Sequence, residues 1–251
     1  MKIGFSSIIA AYDPFDWVFN LEDTGFSGWE IVCEGDMVLT NELREKIESV
    51  HESTDLDLTI HAPFSDLNLA SINYPIWKET IRQTCMCIDN APECVDIITV
   101  HPGHLSPLGA QMPEKAWERI IEAVRILADS AIDRGISISL ENMVNIPWMF
   151  GRFAHEITGL YETIDRVNTC ITFDIGHAHL TESIEDFFEV EFSHIHAHDN
   201  HGKSDEHLAI GKGTIDWARI KECLKDYKGN IVIEARSFEE GVESYNYLTS
   251  M

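Results

Sequence analysis

The chain has 251 residues, 44% of them hydrophobic, and 43 Asp and Glu stand against 18 Lys and Arg, for a formal charge of −25. A chain of that length buries a core without disulfide or metal staples, and the acidic surplus works against the phosphate neutralisation that nucleic-acid binding needs. No apolar run approaches membrane-spanning length, and residues 1–5 have neither the basic region nor the apolar stretch of a signal peptide, so a cytoplasmic location is expected.

Strands are predicted near 2–7, 28–32, 56–61, 96–101, 136–141, 169–174, 192–198 and 230–235, where short apolar runs fall between turn residues. Helices are predicted over 41–53, capped by Thr40 or Asn41, and over 113–134, opened by Pro113 and closed at Gly135. Ile120, Ile121, Val124, Leu127, Ala128 and Ala131 give the second of these an apolar stripe at helical spacing. Weaker helical patterns cover 73–91, 153–166, 182–189, 216–227 and 239–249. Eight βα units without a linker predict a single α/β domain over 1–251, a closed (β/α)8 TIM barrel; the count of eight disfavours an open doubly wound sheet. Six cysteines, none in a CxxC pair, suit reduced thiols. The densest basic group, Lys212, Arg219, Lys221, Lys225 and Lys228, falls mostly on one predicted helix and reads as its solvated face.

In such barrels chemistry sits at the C-terminal ends of the strands. Strands three to eight end in His61, His101, Glu141 (strand five), Asp174 with His177 one turn on, His196, and Glu234, each directly after an apolar run. Six ionisable residues at the rim of a core form a pattern that single helix caps do not explain, and they read as a ring of metal ligands. Residues 192–213 hold five of the twelve histidines. His194, His196 and His198 alternate on one face of the seventh strand, Asn200, His201 and Gly202 form a turn out of it, and Asp205 and His207 lie two apart in the following loop. Imidazole and carboxylate are ligands for zinc and manganese. His179, His194, His198 and His201 are expected beside the ligands or at the surface, and His51 and His155 at the surface. Asp199 or Asn142 is expected to accept from a ligating imidazole. Glu34 is a candidate to extend the site, with Glu30 competing for that register.

These residues carry a family resemblance. The segments His61-Ala62-Pro63-Phe64 with Asn68-Leu69-Ala70-Ser71, His101-Pro102-Gly103, Leu140-Glu141-Asn142, Asp174-Ile175-Gly176-His177 and residues 205–213 resemble the xylose isomerase-like TIM-barrel superfamily. That superfamily includes AP endonuclease family 2 (endonuclease IV-like enzymes) and sugar phosphate isomerases and epimerases. The endonuclease IV-like resemblance implies a trinuclear zinc site with nine ligands, here His61, His101, Glu141, Asp174, His177, His196, Asp205, His207 and Glu234, with Glu141 bridging. The epimerase-like resemblance implies one divalent ion, often manganese, on Glu141, Asp174, His196 and Glu234. Glu141 and Glu234 then act also as the acid/base pair, and His177 contacts substrate. The segment from His61 to Asn68 is one residue longer than the nuclease motif and carries Ser65 and Asp66 in place of an apolar pair.

The expected function is therefore a divalent-metal-dependent isomerase or epimerase, with one to three zinc or manganese ions, acting on a small sugar or sugar phosphate through a metal-stabilised enediolate. In this reading His101, His104 or His177 orients hydroxyls, Trp17, Phe64 or Trp148 covers the apolar sugar face, and Arg236 either meets a substrate phosphate or pairs with Glu234. The alternative is a zinc-dependent phosphoester hydrolase acting at abasic DNA sites or on a small phosphoester; the net charge disfavours DNA as a partner. A metal-binding barrel without catalysis is the third reading, which loss of ligands would favour; none is lost.

Overall fold

The computed structural model describes residues 2–7 and 13–251. Eight strands close into a parallel barrel in sequence order: β1 Lys2–Ser7, β2 Gly28–Val32, β3 Asp57–His61, β4 Ile97–Val100, β5 Ser137–Glu141, β6 Thr169–Asp174, β7 His194–Ala197 and β8 Asn230–Ala235. Closure is made by β1 pairing with β8 from Lys2↔Asn230 to Ser7↔Ala235. Each strand lies inside the segment that the sequence predicts for it.

The helices are α1 Leu21–Thr24, α2 Asn41–Ser53, α3 Tyr74–Asn90, α4 Pro113–Ala131, α5 Ala154–Ile164, α6 Ile175–Leu180, α7 Ile184–Phe187, α8 Trp217–Cys223 and α9 Phe238–Ser250. Thr40 caps α2 by accepting from the Leu43 amide. The predicted stripe of α4 is buried against the barrel, Ile120, Val124, Leu127, Ala128 and Ala131 being fully covered. Several helices differ from expectation: α1 is not predicted, and the segment 216–227 shortens to α8. The segment 182–189 shrinks to the four-residue α7, because Glu182 takes φ +55 and breaks the chain there. The missing turns appear earlier, as α6. Asp174 ends β6 and also caps α6, its Oδ1 accepting from the His177 amide at 2.6 Å. The strand-to-helix junction therefore has no loop, and His177 is held one turn above Asp174.

Side chains alternate across each strand. Ile60, Ile98, Ile138, Leu140, Ile171, Phe173, Ile195, Ile231 and Ile233 are all buried in the hydrophobic core. The opposite faces carry Glu30, Thr59, Thr99, Ser139, Thr172 and His194, also buried. These meet across the lumen: Thr99 Oγ1 lies 3.2 Å from Thr172 Oγ1, Thr59 donates to Glu30 Oε2 at 3.0 Å, and His194 Nε2 reaches the same oxygen at 2.7 Å. The barrel is thus filled by hydrogen-bonded polar groups beneath its mouth, where burial without partners would be costly. All six cysteines are free. Among the described residues no helix is long and apolar enough to cross a membrane.

Candidate metal centre

The residues at the strand ends meet at one mouth of the barrel. His61 Nε2 and His101 Nε2 each lie 3.2 Å from Glu141 Oε2 and 3.1 Å from each other. The other Glu141 oxygen, Oε1, is 3.3 Å from His196 Nδ1, which in turn is 3.4 Å from Glu234 Oε1. His177 lies 3.5 Å from Glu141 Oε1 and 3.7 Å from Asp174 Oδ2 through Nδ1, and 3.6 Å from Asp205 Oδ2 through Nε2. His207 Nε2 is 3.1 Å from Asp205 Oδ2. All nine residues drawn from the endonuclease IV-like resemblance are therefore in one cluster, and Glu141 lies at its centre with one oxygen toward each side.

Outer partners orient the rings. Nδ1 of His61 bonds the Ala62 carbonyl at 2.9 Å and Nδ1 of His177 bonds the Asn142 carbonyl at 2.7 Å, which turns both Nε2 atoms toward the carboxylates. His196 is held the other way round: its Nε2 is 2.9 Å from Glu30 Oε1, leaving Nδ1 for Glu141 and Glu234. Glu30, not Glu34, is thus the acidic residue of β2 that reaches the cluster. Glu34 instead accepts from the amides of Phe64 and Ser65 at 2.6 and 2.7 Å and anchors the loop that carries Phe64.

Charge accumulates here. Burial alone would raise the Glu141 carboxyl, but His196 and His101 outweigh it and hold Glu141 well below the ordinary range. Burial pushes Glu234 up to about 7, with His196 and His207 only partly opposing. Burial would lower His196, yet Glu30, Glu234 and Glu141 raise it well above an ordinary imidazole. His177 behaves likewise, raised against its burial by Asp174 and Asp205. Five carboxylates, Glu30, Glu141, Asp174, Asp205 and Glu234, converge and demand positive charge, which either imidazoliums or a divalent cation supplies. The donor set fits a cation. Asp174 Oδ2, both ring nitrogens of His198 and His207 Nδ1 are buried with no hydrogen-bond partner, and the donors are the nitrogen and oxygen types that zinc and manganese accept. Triads such as His61, His101 and Glu141, or Glu141, Asp174 and His177, place one ligand atom each within 4.8 Å of the others.

A cavity of about 300 Å³ opens on the cluster, lined by Glu141, Asp205, Glu234, His61, His101, His177 and His207 together with Val32, Phe64, Met143, Val144, Ile146 and Met149. Phe64 packs against His61 and His101 at 5.1 and 4.8 Å between ring centres. His104 lines a neighbouring cavity of about 740 Å³ instead, which shares only Phe64, His101 and Met149 with the first. Arg236 lines neither and donates to the Glu206 carbonyl. Trp17 stacks on Phe238 and meets Phe5 edge-on, as core packing. Trp148 is 54% exposed on the loop after β5 and lines neither cavity. His194 and Asn142 stand beside the cluster as expected, whereas His198 is fully buried within it, its Nε2 3.3 Å from Asp174 Oδ1 and 3.5 Å from Asp205 Oδ1. It lies one residue beyond the end of β7, on the face that His194 and His196 share. Asp199 accepts from no imidazole; its buried carboxylate takes the amides of Asn200, Gly211 and Ile215 and the Trp217 indole, and so ties down the loop after β7.

Comparison with known proteins agrees with this architecture. A family model described as the xylose isomerase-like TIM barrel matches residues 18–248. An uncharacterized protein of Methanocaldococcus jannaschii is 34% identical across 99% of this chain and 88% of its own length, and a second from the same organism is 31% identical across 83% and 80%. A solved D-tagatose 3-epimerase-like protein superposes with a TM-score of 0.91 at 32% identity, covering all of this chain and 96% of that one. An AP endonuclease family 2 structure from Brucella melitensis, 17% identical with a TM-score of 0.76 over 100% and 99% of the two chains, shares the fold. The chain belongs to the xylose isomerase-like TIM barrel family.

Proposed function

We propose that this protein is a divalent-metal-dependent isomerase or epimerase of a small sugar, with its metal held by Glu141, Asp174, His196 and Glu234. The observation that carries the reading is the cavity itself: two buried carboxylates, from β5 and β8, line a small chamber together with apolar side chains such as Phe64, Met143 and Met149, with no Lys or Arg among its described lining residues. A sugar is amphipathic in this way, and a volume of about 300 Å³ is at the small end for ligand sites. The 32% identity to a D-tagatose 3-epimerase-like protein over the whole chain supports it.

A divalent ion in this site would supply a Lewis acid for the negative charge that develops on a carbonyl oxygen when the adjacent carbon loses a proton. The chain's own residues handle the proton. Glu141 and Glu234 reach the cavity from β5 and β8, so one accepts the proton and the other returns it. His177 and His101 orient hydroxyls at the cavity wall, Phe64 covers the apolar face of the ring and helps exclude water, and Glu30 fixes the His196 ring. Because Arg236 is bound to the Glu206 carbonyl and absent from the lining, a neutral sugar suits the cavity better than a sugar phosphate.

The test is solvent hydrogen exchange. In deuterium oxide, the manganese- or zinc-loaded protein should exchange one carbon-bound hydrogen of a ketose, read by proton NMR, and both Glu141→Gln and Glu234→Gln should slow exchange by about 10²–10⁴-fold. Exchange that survives both substitutions defeats the mechanism. A second reading, zinc-dependent phosphoester hydrolysis, is favoured by one observation, the full nine-residue cluster. Against its DNA form stands the charge of −25, and most of the basic group is neutralised: Arg219 pairs with Glu185, Lys225 with Glu222 and Lys212 with Glu243. Salt-sensitive binding of abasic duplex would restore that form.

A further inference from the structure

The larger of the two cavities at the barrel mouth has no role in the reaction of a single sugar. It holds about 740 Å³ against about 300 Å³ for the metal chamber, and the two adjoin at Phe64, His101 and Met149, which line both. We propose that the larger cavity is a second sugar subsite, and that the substrate is a neutral saccharide of two glycosidically linked units, one in each cavity. The inference rests on the reading of the metal chamber as a sugar site and names the substrate class of that site.

The cavity is built by the loops after β3 and β4 and by one face of α3. Asn68 latches the two loops together: its Oδ1 accepts from the His104 amide at 3.0 Å, and its Nδ2 donates to the His104 carbonyl at 2.8 Å. Gly103, at φ +103, leaves room for that approach, since a Cβ there would overlap Asn68. The loops after β4 and β5 pair as well, with His104 bridging Met149 and the Leu105 amide donating to the Trp148 carbonyl at 2.7 Å. On the β3 side, Glu34 holds the amides of Phe64 and Ser65, and Asp66 follows at φ +59, a left-handed conformation uncommon for a non-glycine residue. This is the stretch that runs one residue longer than the nuclease motif, and it puts Asp66 on the cavity wall.

The lining selects the occupant. Phe64, Leu67, Ile76 and Leu108 offer apolar surface. Asp66, Asn73 and His104 offer side chains with no hydrogen-bond partner among the described residues, whereas those of Asn68, Thr80 and Ser106 are already bonded within the protein. Burial holds His104 below the ordinary imidazole range, so its ring is a neutral donor and acceptor. No Lys or Arg is among the described lining residues, which argues against a phosphate or another anion. A wholly apolar group would leave Asp66, Asn73 and His104 facing it unbonded, at a cost in affinity. A pyranose satisfies both kinds of wall, with hydroxyls for the three polar side chains and a C–H face for the apolar ones. Phe64 stands at the boundary, where the link between the two units passes.

The test compares fructose with maltulose, lactulose and isomaltulose, disaccharides that carry a second neutral sugar on a fructose unit through different linkages. Solvent hydrogen exchange is followed by NMR on the metal-loaded protein and on two variants checked for fold by circular dichroism. Ile76→Trp fills the larger cavity from an exposed position on α3, and Asp66→Gly removes the carboxylate while keeping the backbone free to hold its φ. At least one disaccharide should exceed fructose by ~10-fold or more in kcat/KM, because contacts remote from the reacting carbon are used in the transition state. Loss of that advantage in either folded variant supports the subsite. Exchange on fructose that no disaccharide betters, or an advantage that survives both variants, overturns it. Exchange on none of the four defeats the isomerase reading instead, and binding then decides the subsite. Saturation-transfer NMR should show a disaccharide bound to the unmutated protein and ~10-fold more weakly to a variant; no binding, or binding equal in all three proteins, overturns the proposal.

Discussion

The inner and outer halves of the cluster are built differently. His61, Glu141, Asp174, His196 and Glu234 stand within or at the ends of sheet strands, with backbones fixed by ladder hydrogen bonds and rings fixed by Glu30 and backbone carbonyls. His198, Asp205 and His207 belong to the connection after β7, and His177 to a six-residue helix. The inner half is held in place by the barrel. The outer half is held by loop contacts: the buried Asp199 carboxylate and its backbone bridge to Leu208, the Asn200 side-chain amide donating to the Gly176 carbonyl, and the Ile210 amide donating to Ser244. A half fixed by the sheet thus stands beside a half fixed by side-chain and loop hydrogen bonds.

The largest effect that tests this contrast should come from Asp199→Ala. It leaves the Gly211 amide and the Trp217 indole buried without an acceptor and should cost about 3 kcal/mol or more in a urea or thermal melt, since each bond to a charged acceptor is worth ~1.5–3 kcal/mol. Affinity for a metal on Glu141, Asp174, His196 and Glu234, measured by chelator competition, should stay. Loss of that affinity as well would show that the halves form one cooperative unit. Next in size is Glu30→Gln, which removes the charge behind His196 and should weaken that metal by ~10–100-fold. An unchanged affinity would mean that the barrel alone orients His196. The smallest effect belongs to Arg236→Ala. Its bond is to an exposed loop carbonyl, so stability should move by less than ~1 kcal/mol. A large loss of turnover on a phosphorylated sugar in this variant would return Arg236 to the substrate site.

The linear chain announced the inner half because the barrel imposes a rule: an apolar strand that ends in His, Asp or Glu delivers that group to the mouth. His61, His101, Glu141, Asp174, His196 and Glu234 all follow it, and the eight strands follow from short β-branched and apolar runs between turns. Residues off the strands were less legible. Glu30 and Glu34 differ by four positions and share a strand parity; that β2 ends at Val32, and that Glu30 meets Thr59, His194 and His196, decides that Glu30 fills the lumen. Asp174 and His177 read as a strand end and a later residue, but their junction is a capped helix with no loop. His198 looked like a neighbour of the ligands because nothing local shows where the strand face continues once the ladder stops. The sequence by itself determined the barrel, its polarity and the imidazole and carboxylate groups that gather at its mouth, since alternation and composition act over a few residues. Tertiary structure alone decided which histidines share a centre, that His104 and Arg236 lie off the metal cavity, and that Asp199 serves the loop, because those outcomes depend on distances between segments far apart in the chain.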